Sequence, residues 1–156
     1  MALNQDYLGK VYPASEPYEV GREKIREFAI AIGDMNPAYH DVAAAQALGH
    51  RDVIAPPTFA FVVSMRASAI AMFDPGLGLD YSRVVHGEQR FAYVRPVTAG
   101  DNLVVVTTIE NIRVAAGNDI LTTRADISTV DGEPVVTTWA VTVARGTAAE
   151  STGESA

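Results

Sequence analysis

From residue 33 to residue 40 the chain runs Gly-Asp-Met-Asn-Pro-Ala-Tyr-His, and several of these side chains can do chemistry. Asp34 and His40 form an acid/base pair: one group can draw a proton from water while the other delivers one. Tyr39 sits beside them, but a phenol with an unperturbed pKa near ~10 is a poor base at neutral pH. A plainer reading stands next to this one. Asp34 after Gly33 fits a simple turn, Asn36-Pro37 fits a turn initiator, and His40 before a helix fits a capping or surface group. No set of His, Asp and Glu has metal-ligand spacing, and no Gly-rich phosphate loop is present. With no cysteine there is no thiolate nucleophile and no disulfide.

Elements on either side must position that loop. Ile25, Phe28, Ala29 and Ile32 recur at helical spacing after Gly21, which predicts a helix of about three turns. Residues 41–48 predict a short helix, with Asp41 as N-cap and Gly49 as its stop. "PPTFAFVVSMRASAIAMF" then begins on two prolines, which suit a helix start because their missing N–H has no partner there. A helix this apolar all round belongs inside the protein. Its Phe59, Phe61, Met65, Met72 and Phe73 are core first and pocket lining second. After residue 80 the period becomes two. Residues 82–94, 102–114, 119–130 and 134–145 predict strands, separated by turn signals at Pro96 to Asp101, Gly117-Asn118 and Asp131-Gly132. A further strand around Pro17 to Val20 completes the sheet. The class is α+β, a sheet wrapped around one buried helix. His86 falls on a strand, as a sheet residue or pocket wall, and His50 on a solvent-facing loop.

At 156 residues the chain is one domain, assigned to residues 1–146 with a small, polar, disordered tail at 147–156. A net charge of −7 argues against nucleic-acid binding, which needs a basic face. No apolar stretch reaches the ~20 residues of a membrane span, and the start lacks the build of a signal peptide. The expectation is a cytoplasmic protein with no membrane partner.

Helix, then Gly33-Asp34-Met35-Asn36-Pro37, then a histidine, a proline-started helix and a strand meander resemble the hotdog fold of MaoC-like dehydratases. Residues 95–101, "RPVTAGD", are similar to that family's strand-connecting turn. The resemblance covers roughly residues 5–146. It implies hydration of 2-enoyl thioesters or dehydration of (3R)-hydroxyacyl thioesters carried by CoA or ACP, with no cofactor. It also implies a homodimer or a heterodimer with a second hotdog subunit. Asp34 and His40 become the catalytic pair and Asn36 the ordering amide. Tyr39, Thr58 and Phe59 border the substrate, and the thioester oxygen accepts an N–H at the central helix start.

Two departures define the question for the structure. The family has four residues between aspartate and histidine, whereas Met35 to Tyr39 makes five here. Active members start the central helix on His-Gly, whereas this chain has "IAPPTF", and Pro57 has no N–H to give. That second string resembles non-catalytic hotdog units, which hold the acyl chain while a partner supplies the acid/base pair. The loop points to an enzyme and the helix start to a binding subunit.

Overall fold

A computed structural model of the chain describes residues 2–147. Five antiparallel strands form one sheet in the order β1-β3-β4-β5-β2. They are β1 (Tyr18–Glu19), β2 (Val84–Tyr93), β3 (Asn102–Ala115), β4 (Asn118–Thr129) and β5 (Pro134–Ala144). Inward positions of β3 (Leu103, Val105, Thr107, Ile109) and β4 (Leu121, Thr123, Ala125, Ile127) are buried in strict alternation. A slip of one residue would turn that whole set to water, so the register is fixed by burial.

Three helices lie between β1 and β2 in sequence: α1 (Arg22–Ala31), α2 (Val42–Ala47) and α3 (Ala60–Met72). α3 crosses the concave face against β3, β4 and β5, as the expected sheet around a helix requires. It begins three residues after Pro57, because Pro56 to Phe59 form a turn in which the Phe59 N–H donates to the Pro56 carbonyl at 2.9 Å. Phe59 is wholly buried and meets Phe28 of α1 edge-on at 5.4 Å. Two expectations need correction. Ile32 lies past the end of α1 and is exposed, and α3 is not buried all round, since Met65 and Ile70 face out. The tail expected at 147–156 lies outside the described residues except for Thr147. That residue is buried and its hydroxyl donates to Asp119 Oδ2 at 2.8 Å, so it belongs to the domain.

Asp74, just beyond α3, fastens the N-terminal segment. Its carboxylate accepts from Lys10 Nζ at 2.7 Å, the Tyr12 hydroxyl at 3.0 Å, the Tyr7 hydroxyl at 3.2 Å and the Gly76 N–H at 2.9 Å. The Lys10 ammonium is the largest cause that draws the Asp74 pKa down to about 2. The same bond raises Lys10 to about 12, and burial followed by Asp74 raises Tyr12 to about 12. Asp74 is depressed on folding, so its share of stability is full above pH 3.8 and fades as pH falls to about 2. Lys10 and Tyr12 are raised, so their share is full below pH 10 and fades as pH climbs to about 12. Thermal unfolding across pH should show both limbs, and Asp74→Asn should flatten the acid limb. An acid limb as steep in the variant as in the parent would place it elsewhere.

Candidate functional site

α1 ends on a glycine because the chain must reverse there. Gly33 adopts φ 74°, and the Asp34 N–H reaches back to the Ala29 carbonyl at 2.9 Å, closing a Schellman-type cap. Asp34 therefore leaves the helix at a fixed place. Its Oδ1 accepts the Asn36 N–H at 3.1 Å, and Asn36 Oδ1 accepts the Ala38 N–H at 3.0 Å. These two short bonds wind Pro37–Tyr39 into one 3-10 turn, and Asp41 then caps α2 through the N–H groups of Ala43 and Ala44.

The extra residue is absorbed in that turn. Tyr39 swings into the core, 8% exposed, and His40 comes back beside Asp34. His40 Nε2 lies 3.1 Å from the Asp34 backbone carbonyl, not from its carboxylate. A carbonyl only accepts, so Nε2 carries the hydrogen and Nδ1 is the nitrogen left to act as a base. Burial, then the Asp34 charge, raises the Tyr39 pKa above its ordinary value, so its phenol stays protonated. Both Asp34 and His40 are half-buried, and Asn36 is exposed.

At the start of α3 the phenol of Tyr93 on β2 donates to the Pro57 carbonyl at 2.6 Å and faces the Ala60 N–H. Burial pushes this phenol up to about 12, so it too stays neutral. The helix end that would hold a thioester oxyanion thus presents a proline and a tyrosine. Thr58 is exposed there, and Phe59 is core.

A cavity of about 640 Å³ runs between α3 and the sheet. On its wall Phe61 and His86 meet edge-to-face at 5.7 Å, and Phe73 and Tyr81 meet at 5.1 Å. From Phe61 to Phe73 the helix rises roughly 18 Å. Met65, Ala69 and Met72 line the helix side, while Gln89, Thr123, Thr138, Ala140 and Thr142 line the sheet side. Neither Asp34 nor His40 borders it. His86 is thus both a strand residue and a wall of this space, and Phe61, Met65, Met72 and Phe73 line it rather than filling core. Gln89, Tyr93 and the inward threonines were missed from sequence. Their signal was available: threonines at buried parity in β4 and β5 mark a sheet face that is not packed dry.

A second, polar groove of about 620 Å³ lies over Arg51, Arg95 and Asp101. Its cations are already committed. Arg51 donates to Asp101 at 2.6 Å, and Arg95 bridges Asp101 at 2.8 Å and Glu133 at 2.8 Å. This knot is structural. His50, expected in solvent, is half-buried at its border.

Comparison with known proteins gives consistent relatives. The family model for the FAS1-like dehydratase domain region matches residues 7–138. A UPF0336 protein of Streptomyces coelicolor is 61% identical over 145 residues, 93% of this chain and 97% of that one. A UPF0336 protein of Saccharopolyspora erythraea is 56% identical over the full length of both. Among solved structures, a MaoC-like dehydratase superposes with a TM-score of 0.83 at 34% identity, over 89% of this chain. This chain spans only 42% of that protein. The C-terminally truncated HadBC (3R-hydroxyacyl-ACP dehydratase) complex from Mycobacterium tuberculosis superposes with a TM-score of 0.80 at 31% identity. That match covers 90% of this chain and 99% of the other.

Proposed function

Since this chain belongs to the FAS1-like dehydratase-region family and has the MaoC-like hotdog fold, we propose that it is a subunit of a (3R)-hydroxyacyl thioester dehydratase. In the reverse direction the same assembly hydrates 2-enoyl thioesters. Its task is to hold the acyl chain, while a second hotdog subunit supplies the working acid/base pair. The observation that carries this is the long, largely apolar-walled cavity along α3, which has neither Asp34 nor His40 on its wall. The helix start supports the same division. Pro57 cannot donate, and the Tyr93 phenol beside the Ala60 N–H is committed to the Pro57 carbonyl. In such a pair the partner takes the α-proton and protonates the leaving hydroxyl. This chain desolvates the tail and fixes the thioester against that chemistry.

One observation favours a second reading, in which the chain is itself the catalyst. His40 returns to within 3.1 Å of the Asp34 backbone, with Nδ1 free of partners among the described residues. The two readings part on crotonyl-CoA, followed by absorbance of its conjugated double bond. The isolated chain should be inactive, and activity should arise with a hotdog partner carrying its own aspartate and histidine. Asp34→Asn or His40→Ala should then change turnover by less than about threefold, whereas loss of a working acid/base group costs about 100-fold or more. Turnover by the isolated chain that collapses in either variant would select the catalytic reading.

The expectation of assembly is supported by β2, which among the described residues pairs only with β5 and leaves ten residues of strand as an edge. A long open edge is a pairing surface. Exposed Met65, Ile70, Phe73, Tyr81 and Val85 lie on or beside the rim of the cavity, an apolar surface suited to burial. A dimer with the sheets joined edge to edge, with a second copy or with the partner hotdog subunit, is the expected state, and sedimentation of the chain as a monomer at micromolar concentration both alone and mixed with that partner would exclude it. Among the described residues no helix is long and apolar enough to cross a membrane.

A further inference from the structure

We propose that Gln89 is a specificity-determining residue, whose carboxamide selects acyl chains bearing a hydroxyl or carbonyl oxygen along their length over unbroken hydrocarbon. This rests on the reading that the cavity along α3 receives the acyl chain.

Gln89 belongs to the cavity wall on β2, opposite Ala140 of β5. Both its amide nitrogen and its amide oxygen are shielded from solvent, and neither has a hydrogen-bond partner among the described residues. Buried polar groups are almost always paired, because an unpaired one loses its hydration and gains nothing in return. The nearby hydroxyls do not relieve it. Ser64 donates to the Phe61 carbonyl at 3.2 Å, and Ser68 is matched with Thr107 at 3.4 Å. The two amide atoms are closed off from the open space of the cavity as well as from solvent, so the amide must turn to meet a ligand, and three rotatable bonds let it do so.

A hydrocarbon tail would leave this amide unpaired on both sides. A hydroxyl both donates and accepts, so it answers the amide oxygen or the amide nitrogen, and a carbonyl answers the nitrogen. Depth along the strand says which part of the chain is read. Gln89 lies four residues before Tyr93, roughly 13 Å along the strand from the helix start. The oxygen it meets is therefore far down the chain and not that of the thioester. Thr123, Thr138 and Thr142 line the same floor, which makes this stretch of the cavity more polar than a plain alkyl chain requires.

The test is calorimetric titration of the full chain with palmitoyl-CoA and with mid-chain hydroxypalmitoyl-CoAs. At least one hydroxylated chain should bind about tenfold more tightly than palmitoyl-CoA, the worth of one hydrogen bond gained in a buried site. Gln89→Leu keeps the bulk and removes the amide, and should abolish or invert that preference. Gln89→Met serves as the second variant if the leucine protein fails to fold. Equal binding of all chains by the parent protein, or a preference that survives in the variant, overturns the role of Gln89 and leaves the acyl cavity standing. Failure of every acyl-CoA to bind overturns both.

Discussion

Ala140→Phe is expected to lower kcat/KM for long-chain thioesters about 100-fold or more on the assembled dehydratase, with crotonyl-CoA held within about threefold. Ala140 sits on β5 between Gln89 of β2 and Thr123 of β4, at the middle of the cavity floor. It is half-buried, with open space above it and not packed core, and phenylalanine suits a strand. The new ring fills the middle of the cavity floor, so a long tail can no longer lie along α3 and its thioester is held out of position. A short chain does not reach that depth. The check is a chain-length series on the parent and the variant, with thermal unfolding to confirm the fold. Equal losses at all chain lengths would mean that the cavity is not where the tail goes, and undiminished long-chain turnover would mean the same.

Asp101→Ala should destabilise the protein by about 2–3 kcal/mol, since a buried carboxylate loses its charge-assisted bonds and the Thr98 N–H loses its acceptor. Asp101 is 3% exposed and accepts from Arg51 at 2.6 Å, from Arg95 at 2.8 and 3.1 Å, and from the Thr98 N–H at 2.8 Å. Its neighbours stitch distant segments together. The Gly100 N–H donates to Val20, and the Ala55 N–H to Val97, so the turn holds β1 on one side and the approach to α3 on the other. Glu133, then Asp101, holds the Arg95 guanidinium protonated well above its usual range, so its charge remains when Asp101 is gone. The Thr98 N–H is left without an acceptor at the same time. Denaturant unfolding reads the loss directly, and a change under about 1 kcal/mol would place Asp101 with ordinary surface pairs. Arg95→Lys tests the same knot from the other side, since an ammonium cannot span Asp101 and Glu133 as the planar fork does.

Local signals in the sequence settled most of the elements. Gly33 ended α1, Asp41 capped α2, and the β-branched alternation after residue 80 gave four strands whose limits hold to within a few residues. Each of these depends on neighbours a few positions away, which sequence displays. What lies between elements did not follow. Whether the extra residue before His40 turned it outward was decided by a 3-10 turn that buries Tyr39 against a core assembled from α1, α3 and the sheet. The same tertiary packing brought Tyr93 over the prolines of α3, although 36 residues separate it from Pro57. It also opened the space lined by Gln89 and the inward threonines, whose parity hints at a face that is not packed dry but gives neither its depth nor its width. Periodicity tells which residues point inward. Only the distance between the helix and the sheet decides whether inward means contact or cavity, and that distance is set by all the side chains together.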